Sequence, residues 1–192
     1  MGISIRRSLS AVTSCAAAFL TVLFLGDLAV PAFGGGDKNT PSRCSVTEQV
    51  IFSCQITGSK KVLSICASKS LTTPERYIQY RYGAPGSLEL EFPAQRAKSV
   101  DQFKMAHYFR AQVDRRELTF ARKDTQYTVY SYYEGEESPP QHQAGVTVRK
   151  GSPVGYEKTF PCVAPYINHL QELDEVVACD ANSPLSQGSC PP

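Results

Sequence analysis

The chain has 192 residues and a formal net charge of +2. This length fits one or two domains. So weak a net charge excludes the long-range field by which a protein attracts nucleic acid or an acidic membrane surface. The sequence therefore predicts neither as a partner.

The N-terminus carries the three parts of a secretory signal peptide. Arg6 and Arg7 form a positively charged start, residues 11–25 are apolar, and residues 30–32 offer small or modest side chains before a cleavage point. The apolar run is shorter than the ~20 residues that span a bilayer, which disfavours a membrane anchor. We interpret residues 1–32 as a cleavable signal peptide.

Cleavage sets the expected domain plan of the mature chain. We expect it after Ala32, with Gly34 as the alternative. Residues 33–43 are rich in Gly, Pro, Ser and Asn, which predicts a flexible linker. We expect one β-rich domain over residues 44–178 and a Cys-, Pro- and Ser-rich tail over residues 179–192. Export predicts a periplasmic or secreted protein with no stable membrane span after cleavage.

Six of the seven cysteines remain in the mature chain, because Cys15 lies in the signal peptide. An even number in an exported protein predicts up to three disulfides, and six cysteines allow 15 pairings. The chain has no CxxC motif and no Cys-His pair at ligand spacing, so we predict no metal site and no cofactor. The disulfide candidates are Cys44, Cys54, Cys66, Cys162, Cys179 and Cys190.

Residues 46–92 have the alternation of two β-hairpins. In the first, the apolar residues of the two strands match best in a register that puts Cys54 and Cys66 on opposite sides of the sheet. A one-residue bulge in the turn at residues 57–61 would bring the two cysteines together. We favour a Cys54–Cys66 bridge formed in this way, and the conflict with the register stays open.

The second hairpin has the clearer pattern. Its alternation predicts that Tyr80 pairs with Leu90 on the inner face. The same register sets Arg81 opposite Glu89 on the outer face, where the opposite charges attract.

The remaining chain predicts further strands and one helix. Residues 93–103 are polar and are compatible with a short helix or loop. Spacings of three and four among the apolar residues between Pro165 and Val177 predict a short amphipathic helix. The fold class is therefore mostly β, an antiparallel barrel or sandwich built from hairpins with one short C-terminal helix. The further strands are predicted at residues 105–113, 117–121, 126–133, 145–149 and 156–160.

An ordered series of short motifs runs through the mature chain. It comprises Phe52-Ser53-Cys54, Ser64-Ile65-Cys66-Ala67-Ser68, Tyr80-Arg81-Tyr82-Gly83, Ala144-Gly145-Val146-Thr147-Val148 and Phe160-Pro161-Cys162. This order resembles a family of small exported bacterial proteins of unassigned function. The resemblance implies a setting in the bacterial cell envelope, and it implies no activity and no catalytic residue.

Residues that could perform catalysis are few. His107, His142 and His169 have no partner at motif spacing, which favours ordinary surface or strand roles. The chain has no nucleophile elbow and no phosphate-binding glycine loop. Glu89 and Glu91 share a strand face and could serve glycoside chemistry, but the alternating charges beside them favour a solvated face. We leave enzymatic activity open and lean against it, with no catalytic residue assigned.

Tyrosine is the most suggestive residue type in the sequence. Residues two apart share a strand face, so Tyr130 and Tyr132 face one way while Tyr127 and Tyr133 face the other. Both sets cannot line one core unless the sheet is covered on both sides, so we expect some of these rings to be exposed. Exposed tyrosines suit contact with protein or sugar, and the four residues are our candidate binding set.

We weigh three functions against one another. Export, disulfides and surplus tyrosine favour a non-catalytic binding protein of the bacterial envelope, such as an inhibitor or an immunity-like protein that meets another envelope or secreted protein. The first alternative is a glycan-directed hydrolase or carbohydrate-binding protein. The second is a structural envelope component, which would have no saturable partner.

Overall fold

The computed structural model describes Gly2, residues 40–151, residues 155–186 and Cys190. Apart from Gly2, the predicted signal peptide lies outside the described residues, as do residues 33–39 of the predicted linker. Within the described ranges the chain forms nine strands: β1 (Gln49–Ile56), β2 (Val62–Ala67), β3 (Ile78–Gly83), β4 (Leu90–Phe92), β5 (Phe103–Arg110), β6 (Val113–Arg122), β7 (Thr125–Glu134), β8 (Gln141–Lys150) and β9 (Tyr156–Asn168).

The nine strands form one antiparallel sheet in the order β4-β3-β2-β1-β9-β8-β7-β6-β5. The sheet curls into a half-barrel. The mostly β, antiparallel class predicted from the alternation is confirmed, and its curvature is that of a barrel rather than of a sandwich. Strands that follow one another in the chain are neighbours in the sheet, except that β4 and β5 lie at its two opposite edges. In addition, β9 pairs with β1 as well as with β8.

Strand β9 joins the two halves of the sheet. Its first half pairs with β8, from Tyr156 opposite Lys150 to Pro161 opposite Gly145. Its second half turns to β1, where Phe52 lies opposite Asn168. A strand of 13 residues can serve two partners in succession in this way. We call β1–β4 the first meander and β5–β8 the second meander.

The hydrophobic core fills the concave face of the half-barrel, and aromatic rings close it. The ring of Phe92 on β4 stacks on that of Phe120 on β6, with centroids 4.5 Å apart. Tyr127 stacks on the same Phe120 ring at 4.8 Å. Because β4 and β6 belong to opposite ends of the sheet, these contacts hold the curled edges together. Each fully buried side chain of this size contributes about 1.5–3 kcal/mol.

The convex face of the first meander is covered by the chain that precedes it. The Arg43 backbone N–H donates to Ser64 Oγ (3.0 Å), and Ser53 Oγ donates to the Pro41 carbonyl (2.7 Å). Residues 40–43, the described end of the predicted linker, therefore pack against the sheet. As a result, β1, β2 and β3 are buried on both faces.

The six mature cysteines form three disulfides, Cys44–Cys66, Cys54–Cys162 and Cys179–Cys190. The expected Cys54–Cys66 bridge is wrong. The bulge lies within β1, between Val50 and Phe52, and not in the turn. Cys54 therefore points into the core, where β9 brings Cys162 to it, while Cys66 points to the convex face and meets Cys44.

In the second hairpin the residues lie on the predicted faces of the sheet, but the register between the two strands differs from the predicted one. Tyr80 pairs with Phe92 and Arg81 with Glu91, two residues beyond the predicted partners. The loop is longer than expected because it folds back onto Gly83, where a Cβ would lie 2.2 Å from the Ser87 carbonyl oxygen.

The five strands predicted after residue 103 all correspond to β5–β9, with shifted or longer bounds. The amphipathic helix predicted after Pro165 is wrong. Residues up to Asn168 continue β9, because they pair with β1. Only a 3-10 turn follows, Leu170–Leu173, and it buries both leucines. A second such turn, Val100–Gln102, precedes β5. Neither helical segment in the described ranges has the length or the apolar character to cross a membrane.

Candidate functional site

The four candidate tyrosines lie in three different places. Tyr127 belongs to the core, against Phe120. Tyr133 lies on the concave face beyond the core, where its ring centroid is 4.8 Å from that of His142. Tyr130 and Tyr132 lie on the convex face with centroids 5.0 Å apart. The two faces follow the predicted alternation, but the four rings do not form one surface.

The convex face of the second meander carries a shallow polar trough of about 770 Å³. We call it the convex trough. The Tyr132 hydroxyl donates to Glu117 on its floor, and Ser183 of the C-terminal tail donates to the same carboxylate from above (3.3 Å). Tyr130 is 7% exposed, and its hydroxyl lies over Gly145, where a Cβ would be 2.8 Å away. This face is therefore partly covered by its own chain.

The concave face of the second meander changes character along the strands. Near one end, Leu118 and Val129 fill the core. Two residues further along β6 and β7, on the same concave face, the inward positions are occupied by Arg116 and Ser131, which lie opposite each other. The strands thus extend beyond the hydrophobic core and line the rest of the concave face with polar side chains.

Four charged or titratable side chains form a network at this end. Arg116 NH1 donates to both oxygens of Asp114 (2.6 Å each), and Arg116 NH2 donates to Asp174 (3.1 Å). His107 Nε2 lies 3.1 Å from Asp114 Oδ1, and its Nδ1 lies 3.7 Å from Asp174. Burial works against the charge of Arg116, but the hydrogen bonds to Asp174 and Asp114 outweigh it and raise the pKa of the guanidinium.

A cleft of about 390 Å³ opens beside this network, and we call it the concave cleft. Its floor is Ser131 and Asn168, joined by a hydrogen bond from Asn168 Nδ2 to Ser131 Oγ (2.9 Å). Aromatic rings form its sides. The full lining is Asp114, Arg116, Ser131, Tyr133, His142, Tyr166 and Asn168.

A larger groove of about 970 Å³ runs along the outer edge of β5, and we call it the β5 groove. The Met105 N–H donates to the Ala178 carbonyl (2.9 Å), and the Met105 carbonyl accepts from the Asp180 N–H (2.7 Å). Beyond this contact the edge continues through His107 and Phe109. Phe109 is 72% exposed.

Of the residues that line the concave cleft, the sequence singled out only Tyr133 as a binding candidate, and it did not predict the network around Arg116. His107 was given no partner because its partners, Asp114 and Asp174, lie on the next strand and after β9. The available signal was the alternation itself, since Asp114 and Arg116 occupy the positions that continue the inward face of Leu118.

The remaining predicted groups are engaged elsewhere. Glu89 pairs with Lys61 (2.7 Å) and Glu91 with Arg81 (2.8 Å), so the two carboxylates serve different cations. His142 lies in the concave cleft. His169 Nδ1 lies 3.8 Å from Glu172 on the surface.

One group of potential metal-ligand atoms occurs among the described residues. Atoms of Cys44, Glu48 and Cys66 lie within 4.8 Å of one another. The two sulfurs are bonded to each other, and the Glu48 carboxylate accepts from Arg81 (2.6 Å). These atoms therefore serve the fold and are not free to hold an ion.

Comparison of the chain with family models, with curated proteins and with solved structures finds no match. The functional argument therefore depends on the geometry of the chain itself.

Proposed function

We propose that the chain is an exported, non-catalytic binding protein of the bacterial envelope, and that it binds an extended segment of a protein partner along the free edge of β5. An inhibitor-like or immunity-like role is the form this function takes. Three disulfides support an oxidising compartment. The observation that carries the proposal is the unpaired edge of β5 beside the β5 groove.

The edge offers backbone groups in the right direction. Alternate residues of a strand aim their N–H and C=O groups at the same neighbour. Met105 aims its pair away from β6, and the β5–β6 register is unbroken. His107 and Phe109 therefore aim theirs outward too, and no backbone group within the described ranges pairs with them. An added strand would gain these hydrogen bonds, each worth about 1 kcal/mol.

The groove also indicates the chemistry of the added segment. Its lining includes Asp101 and Glu175, together with Asp174, which already pairs with Arg116, and neither lysine nor arginine lines it among the described residues. The exposed ring of Phe109 offers apolar surface beside this acidic lining. The partner segment that fits is extended, with an apolar side chain for Phe109 and a lysine or arginine for the carboxylates.

The test uses the full chain, exported so that its disulfides form, and short random peptides displayed on phage. The variant Phe109→Pro removes the ring and the outward N–H, and it spares the β5–β6 ladder because that N–H faces away from β6. Phe109→Ala removes only the ring. We expect enriched peptides to be basic and extended, and to bind Phe109→Pro at least about tenfold more weakly than the unchanged chain, with Phe109→Ala in between.

Tyr132→Phe is the matched control, since it alters the convex trough and leaves the β5 edge intact. Peptides that bind Phe109→Pro as tightly as the unchanged chain would refute the edge as the contact. Loss of binding in Tyr132→Phe alone would assign the contact to the convex tyrosines instead. A selection that enriches no peptide would also count against the proposal.

A further inference from the structure

The concave cleft contains hydrogen-bonding groups that the protein leaves unused. Ser131 accepts a hydrogen bond from Asn168, but its own hydroxyl hydrogen has no acceptor among the described residues. The Tyr166 hydroxyl and the ring nitrogens of His142 also have no hydrogen-bond partner in the part of the chain that the structure describes. Ser131 and Tyr166 are half-buried, and burial raises the pKa of the Tyr166 hydroxyl, whereas His142 is exposed. Water can serve these groups until a ligand takes its place.

The frame around these groups is rigid. Both carboxylates of the network are held by Arg116, and the Asn168 amide oxygen accepts from the Leu170 N–H (3.4 Å). Asn168 is also the last residue of β9, fixed by its pairing with Phe52 on β1. The groups that face the cleft are therefore positioned before any ligand arrives, which lowers the cost of binding.

Hydrogen bonds within the protein already engage the charged groups beside the cleft. All three nitrogens of the Arg116 guanidinium donate to Asp114 or Asp174. The same two carboxylates also have His107 beside them. An anion would meet no free cation here, and a cation would compete with Arg116 for its partners. The groups left over are hydroxyl, amide and imidazole, which are neutral donors and acceptors.

Aromatic rings supply the apolar part of the lining. The Tyr133 ring lies against that of His142, with centroids 4.8 Å apart. Tyr166 is anchored on Phe52, with centroids 6.2 Å apart. A volume of about 390 Å³ lies at the small end of the range for small-molecule sites. Rings beside neutral hydrogen-bonding groups fit a ligand that alternates C–H surface with hydroxyl groups.

We propose that the concave cleft is a binding site for a neutral saccharide, with Ser131, Asn168 and Tyr166 hydrogen-bonding its hydroxyls and the rings of Tyr133 and His142 covering its C–H face. This site is separate from the edge of β5 used in the proposed function, and it does not depend on a protein partner. The two proposals share only the network around His107 and Asp174. Variants in the floor of the cleft leave the β5 edge unchanged, so each proposal can fail alone.

The test is an amide NMR titration of the full, oxidised chain with three neutral trisaccharides. The probes are cellotriose, maltotriose and tri-N-acetylchitotriose, with trigalacturonate as the anionic comparison. We expect at least one neutral probe to bind saturably with a Kd below about 1 mM. The shifted signals should be those of Ser131 and Asn168, and those of Tyr130 and Thr147 on the convex face should stay in place.

Two single-group variants and one control sharpen the result. Tyr166→Phe keeps the ring and removes the unpaired hydroxyl, and Asn168→Ala removes the amide. We expect each to weaken binding about tenfold, because each removes one hydrogen-bonding group from the site and a tenfold change in Kd corresponds to about 1.4 kcal/mol. The control is Tyr156→Phe, which removes a hydroxyl from an exposed ring outside the cleft. Its affinity should match that of the unchanged chain.

Several outcomes would overturn the saccharide proposal. These are no neutral probe bound at millimolar concentration, shifts confined to the convex trough, tighter binding of trigalacturonate than of any neutral probe, or equal affinity in Tyr166→Phe and the unchanged chain. None of them bears on whether Phe109→Pro abolishes peptide binding, so the proposed function would stand or fall separately.

Discussion

The two meanders use polar side chains in opposite ways. In the first meander, Arg81 lies under the covering segment of residues 40–48 and pairs with Glu48 and Glu91. Glu48, 3% exposed, accepts hydrogen bonds from Arg81, Arg96, Tyr77 and the Ser45 N–H. In the second meander, Ser131 and His142 face an open cleft with donors or acceptors unused, and Tyr166 of β9 faces the same cleft. Both meanders are antiparallel hairpins, so strand geometry alone does not separate structural from functional polarity.

This difference shows that a polar residue stabilises the fold where the chain covers it and is available for binding where it faces an open cleft. A charge that the chain covers must be paired, or its burial costs more than the fold can offset. A polar group that faces an open cleft can keep an unused donor or acceptor, because water hydrogen-bonds to it until a ligand binds. We therefore expect substitutions in the first meander to change stability and substitutions in the concave cleft to change binding.

The largest expected effect comes from the disulfide that joins the two halves of the sheet. Cys54–Cys162 closes a loop with a sequence separation of 108, against 11 for Cys179–Cys190. Loop-closure entropy predicts that replacing both cysteines by alanine costs about 5 kcal/mol for the first pair and about 3 kcal/mol for the second. Urea unfolding of the two double variants measures the order. An equal loss in both would show that β9 is held to β1 without the bridge.

Glu48→Gln should have the next largest effect, because it removes the buried one of the two carboxylates that pair with Arg81 and leaves only the partly exposed Glu91. We expect a loss of about 3 kcal/mol in the free energy of unfolding. The matched control is Glu157→Gln, whose partner Arg149 and own side chain are both more than half exposed. That change should cost no more than about 1 kcal/mol. Equal midpoints of urea unfolding would contradict the distinction between the meanders.

The free energy of unfolding should also depend on pH through the Glu48 carboxylate, with a smaller effect than the substitution. Burial by itself raises the pKa of Glu48, but hydrogen bonds from Arg81 and the Ser45 N–H outweigh it and hold the pKa at about 2, below the ordinary 4.5. The folded chain therefore binds fewer protons than the unfolded chain between these values. Glu48 stabilises the fold fully above about pH 4.5, and this contribution disappears as the pH falls towards 2.

The measurement compares urea unfolding of the unchanged chain and Glu48→Gln across that interval. The difference between the two chains should shrink by about 3 kcal/mol as the pH falls. A difference that stays constant with pH would mean that the Glu48 carboxylate is not stabilised in its charged form. No comparable dependence is expected from changes in the cleft floor, because Ser131 and Asn168 do not titrate.

The sequence predicted which face of the sheet a residue lies on better than it predicted which residue lies opposite it. In the second hairpin the inward residues were correct, since alternation depends only on the local backbone, but the register was wrong by two because the loop folds back onto Gly83. At Cys54 the predicted register already placed Cys66 on the other face, and the favoured bridge required a turn bulge that the chain does not have. The spacing of apolar residues after Pro165 was typical of a helix, but the chain continues as strand β9 there because it pairs with β1.

By itself, the sequence determined the antiparallel hairpins and the side of the sheet on which each residue lies, because both depend on a repeat of two residues and on turns between neighbours. Only the tertiary structure decided that β9 lies between β8 and β1, which sets Cys162 against Cys54 and brings Asn168 to Ser131. It also decided that, among the described residues, the edge of β5 stays unpaired at His107 and Phe109. These features depend on contacts between residues far apart in the chain, and no local pattern encodes which distant strands will meet.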